Sequence, residues 1–255
     1  MRNMTEETRK RLCTLADRYE RSSFLESDPS QFLRHYTENC DIEIAAFTAA
    51  MLSFGNRKQF IPKIEKIINL ADVSGGICAW IKTGRYDDFF NSQDDRKFYR
   101  FYSYSEMNDF FAAIKAVLER FDSLGSYVKD FCAASAGTNN SVQNAVVALS
   151  KAFEKCAIVP KGKNSANKRV HMFLRWMVRR NSPVDLGLWD WISPSDLIIP
   201  LDTHVIQESV KLALVSENAP ASLKTAIKIT DELKKIWPED PCKGDFALFG
   251  LGVDS

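Results

Sequence analysis

Apolar residues recur at helical spacing from one end of the chain to the other, and no convincing run alternates apolar with polar. This pattern predicts an all-α protein. A first helix covers "EETRKRLCTLADRYE", "SDPSQF" breaks the chain, and a short helix follows around "QFLRHY". Asp41 then caps "IEIAAFTAAMLSF", which is apolar nearly all round and therefore reads as a central, buried helix ending at Gly55. Pro62 opens the next helix, "PKIEKIINLA". Ser105 opens "SEMNDFFAAIKAVLERF", with Phe110, Ile114, Val117, Leu118 and Phe121 on one core-facing side. After the turn "AASAGTNNS" come helices over Val142 to Ile158 and Ser165 to Arg180. An irregular stretch, "NSPVDLGLWDWISPSDLIIP", then leads to helices over Thr203 to Val215 and Ser222 to Trp237, with a short one around "GDFALFG".

The 255 residues, 45% of them hydrophobic, suffice for one large domain or two interleaved small ones. No apolar run reaches membrane-spanning length, and "MRNMTEETRKRL" is too charged for a signal peptide, so the expected location is the cytoplasm. Six widely spaced cysteines suggest neither a structural zinc nor an iron–sulfur cluster, and no metal or cofactor is expected. The net charge of +1 hides a local imbalance. Lys151, Lys155, Lys161, Lys163, Lys168, Arg169, Arg175, Arg179 and Arg180 face a single acid, Glu154, between positions 151 and 180. Two helices joined by a turn that carries Lys161, Gly162, Lys163 and Asn164 suit a phosphate backbone, gripped by the lysines, by Arg169 and by the amides of Asn164 to Asn167. A solvated basic face is the competing reading.

The stretch "LIIPLDTHV" places Asp202 behind four aliphatic residues and a proline, where a carboxylate is costly unless it is paired, bonded or used. Asp202 can cap the following helix, and that role is compatible with a chemical one. Lys168 lies in the first turn of its helix, where the positive end of the dipole disfavours a protonated amine, the condition a nucleophilic lysine needs. His204 supports the same site, contacts a ligand, or makes a structural hydrogen bond. Trp176, Trp189 and Trp191 read as packing residues.

"SANKRVHMFLRWMV" followed by "IPLDTHV" resembles the helix–hairpin–helix DNA glycosylase superfamily, in which a hairpin lysine and an aspartate share one active site. A closer likeness, over roughly Asp28 to Gly252, is to an uncharacterised bacterial family with "DIEIAAF", "FLRWMVR", "PLDTHV" and "DFALFGLG". The spacing of 34 residues from Lys168 to Asp202 is similar to that in archaeal 8-oxoguanine DNA glycosylases. The hairpin itself reads "VPKGKNSAN" in place of the usual "LPGVG". The resemblance implies two helical subdomains, 41–189 and a composite of 1–40 with 190–255, with the active site in the cleft between them. It also implies base-pocket roles for Gln31, His204, Asp245 and Phe249, and a wedge at Asn56 or Arg57 that fills the gap left by a flipped base.

The activity that the resemblance implies is base-excision DNA repair, by a monomeric DNA glycosylase and abasic-site lyase that removes an oxidised purine such as 8-oxoguanine. Its partner would be double-stranded DNA carrying a damaged base, and the protein would associate with the nucleoid when bound. Lys168 would attack the anomeric carbon and form a Schiff base, and Asp202 would stabilise positive charge on the sugar. Two other readings compete: a catalytically inactive DNA-binding module of the same fold, and a helical interaction scaffold without nucleic acid.

Overall fold

The computed structural model describes residues 4–135, 137, 140–162 and 164–253. Eleven α-helices among them are α1 (Glu6–Tyr19), α2 (Asn39–Leu52), α3 (Arg57–Asp72), α4 (Ile77–Lys82), α5 (Tyr104–Leu118), α6 (Leu124–Ala134), α7 (Ser141–Ala152), α8 (Lys168–Val178), α9 (Thr203–Lys211), α10 (Leu223–Lys234) and α11 (Gly244–Val253). A two-stranded antiparallel hairpin, β1 (Lys97–Tyr99) and β2 (Tyr102–Ser103), precedes α5. The protein is all-α in class, and no helix among the described residues is long and apolar enough to cross a membrane.

The chain divides into two compact units, Ser27–Pro160 on one hand and Met1–Glu26 with Lys161–Ser255 on the other. The sequence reading sets these divisions at 40/41 and 189/190. In the first unit α2 is central. Every residue from Ile42 to Leu52 is buried, as its apolar circumference predicts. The Phe47 ring meets Phe110 at 5.7 Å and Phe153 at 4.9 Å. Two acids of α2 serve other helices: Asp41 Oδ1 accepts from the Cys78 amide (2.7 Å) in the first turn of α4, and buried Glu43 accepts from the Gly125 amide (2.8 Å) in the first turn of α6. Carboxylates are favoured there because helix N-termini expose unpaired N–H groups. Gly76 fits this arrangement through its φ of +124° and because a Cβ would stand 2.8 Å from Asp41 Oδ1. Cys40 and Cys78 form a disulfide beside the same contact.

In the other unit α1 packs on α11, and α11 on α9. Leu12, Leu15, Ile199, Leu201, Ile229, Leu233 and Leu248 build a common core with them.

Several expected boundaries move. Asp41 does not cap α2, whose N-cap is Glu38, because its side chain turns to α4. Helix α2 stops at Leu52, before Gly55. Pro62 lies inside α3, since Asn56 already caps that helix by accepting from the Lys58 amide (2.9 Å). Helix α5 starts one residue early, under a capping box of Ser103 and Glu106. Helices α7 and α8 are shorter than predicted, and the periodicity predicts neither α4 and α6 nor the hairpin. The segment from Asn181 to Leu201 is irregular as predicted, apart from one short 3-10 turn at Pro194–Asp196.

Phe47 is fully buried between two other rings, so Phe47→Ala should lower stability by about 4 kcal/mol. Urea unfolding of the variant and the parent checks this, and a loss under about 1 kcal/mol would show that the surrounding core collapses onto the gap.

Candidate functional site

The loop before α8 is fixed by its own polar groups. The Gly162 carbonyl accepts from the Ser165 amide (3.2 Å) and from Asn167 Nδ2 (3.0 Å), while the Asn164 carbonyl accepts from the Leu223 amide (3.0 Å) at the start of α10. Asn167 then takes a left-handed conformation (φ 42°, ψ 43°), one that asparagine tolerates better than most residues. Lys168 follows as the first residue of α8.

From the other direction, Leu197, Ile198, Ile199 and Leu201 are buried, and the Ile199 amide donates to Thr230 Oγ1 (3.1 Å). This anchored strip delivers Asp202 as the N-cap of α9, with Oδ1 accepting from the Val205 amide (2.9 Å). Its second oxygen, Oδ2, accepts from Lys168 Nζ at 2.7 Å. Asp202 therefore both caps a helix and binds the lysine. Burial pushes its carboxyl up, but the charge and hydrogen bond of Lys168, the Val205 amide and His204 outweigh this and hold it below the usual carboxylate range. The lysine and aspartate side chains are 38% and 30% exposed, so the pair is partly open to solvent.

Toward the other end of α8, Arg175 and, at the C-cap, Arg179 are 4% and 1% exposed. Arg175 pairs with Asp245 and with Asp185 (3.3 Å). Arg179 binds Asp240 through two nitrogens (2.8 and 2.7 Å), and also Asp185 and Glu20. The ring of Phe246 lies within 4.8 and 5.3 Å of the two guanidinium carbons. Burial opposes the charge on Arg179, and its three acidic partners more than compensate, so its pKa is raised. Burial likewise raises the Asp245 carboxyl, which also senses the charges of Arg175, Asp202 and Lys168.

The structure thus brings Lys168 and Asp245 within electrostatic reach of Asp202, which also senses His204. Phe249, one turn beyond Asp245, packs edge-on against Tyr19 and Phe24. Gln31, Asn56 and Arg57 belong to the Ser27–Pro160 unit. Gln31 donates to the Asp28 carbonyl (3.1 Å) and lines a cavity of about 350 Å³ with His35, Glu65 and Asn69. Asn56 caps α3, and Arg57 lies 3.6 Å from Asp28.

The basic segment is not all surface. Arg175 and Arg179 are buried in ion pairs, and Arg180 donates to the carbonyls of Asp190 and Ile192. Lys161 and Arg169 are half-buried, and Lys163 lies outside the described residues. Of the amides expected to meet phosphate, those of Ser165 and Asn167 are bonded within the loop, to the Gly162 carbonyl and Ser165 Oγ. Trp176 and Trp189 are buried packing residues, with Trp191 stacked on Trp189. The buried arginine network escapes the sequence reading, where its only mark is an arginine repeated at one-turn spacing.

Fold and site define an all-α protein that joins a lysine and an aspartate at the N-termini of two helices. Residues 28–254 match the family described as "Protein of unknown function (DUF2400)", and the chain belongs to that family. This corrects the likeness to the helix–hairpin–helix DNA glycosylase superfamily, since the match is to an uncharacterised family and not to that one. The likeness rested on two short motifs, and in the loop that opens the first of them the amides of Ser165 and Asn167 are bonded within the loop itself. No curated protein and no solved structure matches the chain. Among the described residues no group of three His, Cys, Asp or Glu side chains is placed to hold a metal ion.

One further residue of α8 is costly. His171 is 1% exposed, its Nδ1 has no partner among the described residues, and burial pushes its pKa down from 6.5 to about 4. The unfolded chain takes up this proton near pH 6.5 and the folded one only near pH 4, so stability is lost as pH falls through that window. The expected loss attributable to His171 between about pH 7.5 and about pH 5 is about 2 kcal/mol. Thermal or urea unfolding across that range should be flatter for His171→Phe than for the parent, and identical profiles would refute the assignment.

Proposed function

We propose that the protein is a DNA N-glycosylase and abasic-site lyase acting in base-excision repair, with Lys168 as nucleophile and Asp202 as its acidic partner. The observation that carries this reading is the 2.7 Å contact between Lys168 Nζ and Asp202 Oδ2, in a pair that is still partly open to solvent. Surface lysines meet carboxylates often, and such pairs contribute little to stability. Here, however, the carboxylate is pinned by the Val205 amide and by a buried strip, and the amine is presented at a helix N-terminus. This is a preorganised geometry, not a mobile surface contact.

The chemistry follows from the two groups. Asp202 accepts a proton from the lysine, and the neutral amine attacks C1′ of a deoxynucleotide. The N-glycosidic bond breaks with its electron pair leaving on the base, which takes up the proton from Asp202, and the carboxylate so regenerated offsets the positive charge on the sugar. Opening of the sugar ring gives a Schiff base to Lys168. Loss of a proton from C2′ then expels the 3′ phosphate and cuts the strand. Asp245, held by Arg175, supplies a carboxyl that can accept the N7–H distinguishing 8-oxoguanine from guanine. An oxidised purine is accordingly the first substrate to test, in double-stranded DNA.

Borohydride reduction traps the Schiff base as a covalent adduct. With duplexes carrying 8-oxoguanine or an abasic site, the parent should give an adduct, while Lys168→Gln gives none and keeps its affinity for the duplex. Asp202→Asn should slow excision on the order of a hundredfold, as expected for loss of one preorganised electrostatic group. Absence of any adduct with the parent on oxidised, alkylated and abasic duplexes sinks the proposal.

A further inference from the structure

The hairpin before α5 carries an exposed aromatic tip. Among the described residues the large apolar side chains left exposed are Val73, Phe101, Val147 and Val253, and Phe101 alone of these is aromatic, at 67% exposure. Its ring lies nearly parallel to that of Phe54 (9°, centroids 6.2 Å apart). The guanidinium of Arg100 sits 5.4 Å from the Phe101 centroid and 5.7 Å from that of Phe54. Phe101 is thus backed by a second ring and a cation, with most of its surface still in water.

The tip is also held firmly. Arg100 adopts φ 50°, an uncommon conformation for a residue with a side chain, which persists only where the surroundings impose it. Tyr99 Oη donates to the Phe54 carbonyl, and Gly55 (φ +82°) leaves room for Arg100, whose Nη1 would stand 2.1 Å from a Cβ there. Lys97 Nζ donates to the Phe101 carbonyl (2.8 Å). Arg96, Lys97 and Arg100 are all exposed. Asp94 pairs with Arg96, and Glu106 lies 4.0 Å from Lys97, whereas among the described residues no carboxylate pairs with Arg100.

A rigid, solvent-facing ring flanked by an unneutralised guanidinium fits a nucleobase on the ring and a phosphate on the cation. We infer that Phe101 and Arg100 form a stacking platform for an unpaired base of a DNA strand, a contact distinct from the lysine–aspartate pair. The alternation of cations and aromatics in "KFYRFY" is its sequence mark. The inference rests on the reading that the protein acts on DNA.

A short oligodeoxythymidylate carrying one 2-aminopurine reports stacking by loss of its fluorescence. The parent should quench it on binding, and Phe101→Ala should weaken binding roughly tenfold, the loss typical of one stacked base, and remove the quenching. Phe101→Trp should restore both, since a larger ring stacks at least as well. Arg100→Gln should flatten the salt dependence by about one phosphate contact. Equal affinity and quenching for the parent and Phe101→Ala would overturn the platform, as would a parent that binds no oligonucleotide. The two proposals fail separately: adducts formed by a parent whose Phe101→Ala variant binds and quenches normally leave the lysine reading intact and end this one. Quenching that depends on Phe101, in a protein that never forms an adduct, does the reverse.

Discussion

The burial of Arg175 and Arg179 sets a strong constraint on the unit of residues 1–26 and 161–255. Stripping two guanidinium groups of water is expensive, and removing one acidic partner would leave an uncompensated charge inside. Asp185, Asp240, Asp245 and Glu20 must therefore arrive together from separate stretches of chain. The irregular segment after α8 has a definite task in this setting, because it returns Asp185 to the helix it has just left. With α8 fixed along one side by its arginines, the position of Lys168 about two turns away is fixed as well. The lysine's side of the lysine–aspartate contact is thus set by a network that bonds to neither Lys168 nor Asp202.

Helix existence was largely legible in the sequence and helix edges were not. Long amphipathic segments such as α5 and the all-apolar α2 identify themselves by period. Helices α4 and α6 do not, because α4 is six residues long and the first turn of α6 contains Gly125. Their starts depend on Asp41 and Glu43, which lie 37 and 82 residues away. No local window contains that information. The strands of the hairpin are too short for a two-residue period to register.

The site shows the same division. Asp202 could be read as both cap and partner because its aliphatic approach and following helix are adjacent in sequence. Its pairing with Lys168 was an expectation carried by motif order, and it is the contact found. The basic segment was legible only as a count, because charge counted along a chain says nothing about burial. Arg175 and Arg179 look like surface cations until acids 70 and 61 residues later are brought to them.

The composite unit also sets an order of events during synthesis. The apolar face of α1, made by Leu12, Leu15 and Ala16, is covered by α11, which is translated after everything that lies between them. The unit of residues 27–160 has all its own contacts in hand well before that. A nascent chain therefore carries one finished body beside a helix α1 whose hydrophobic stripe stays bare until α11 has been made.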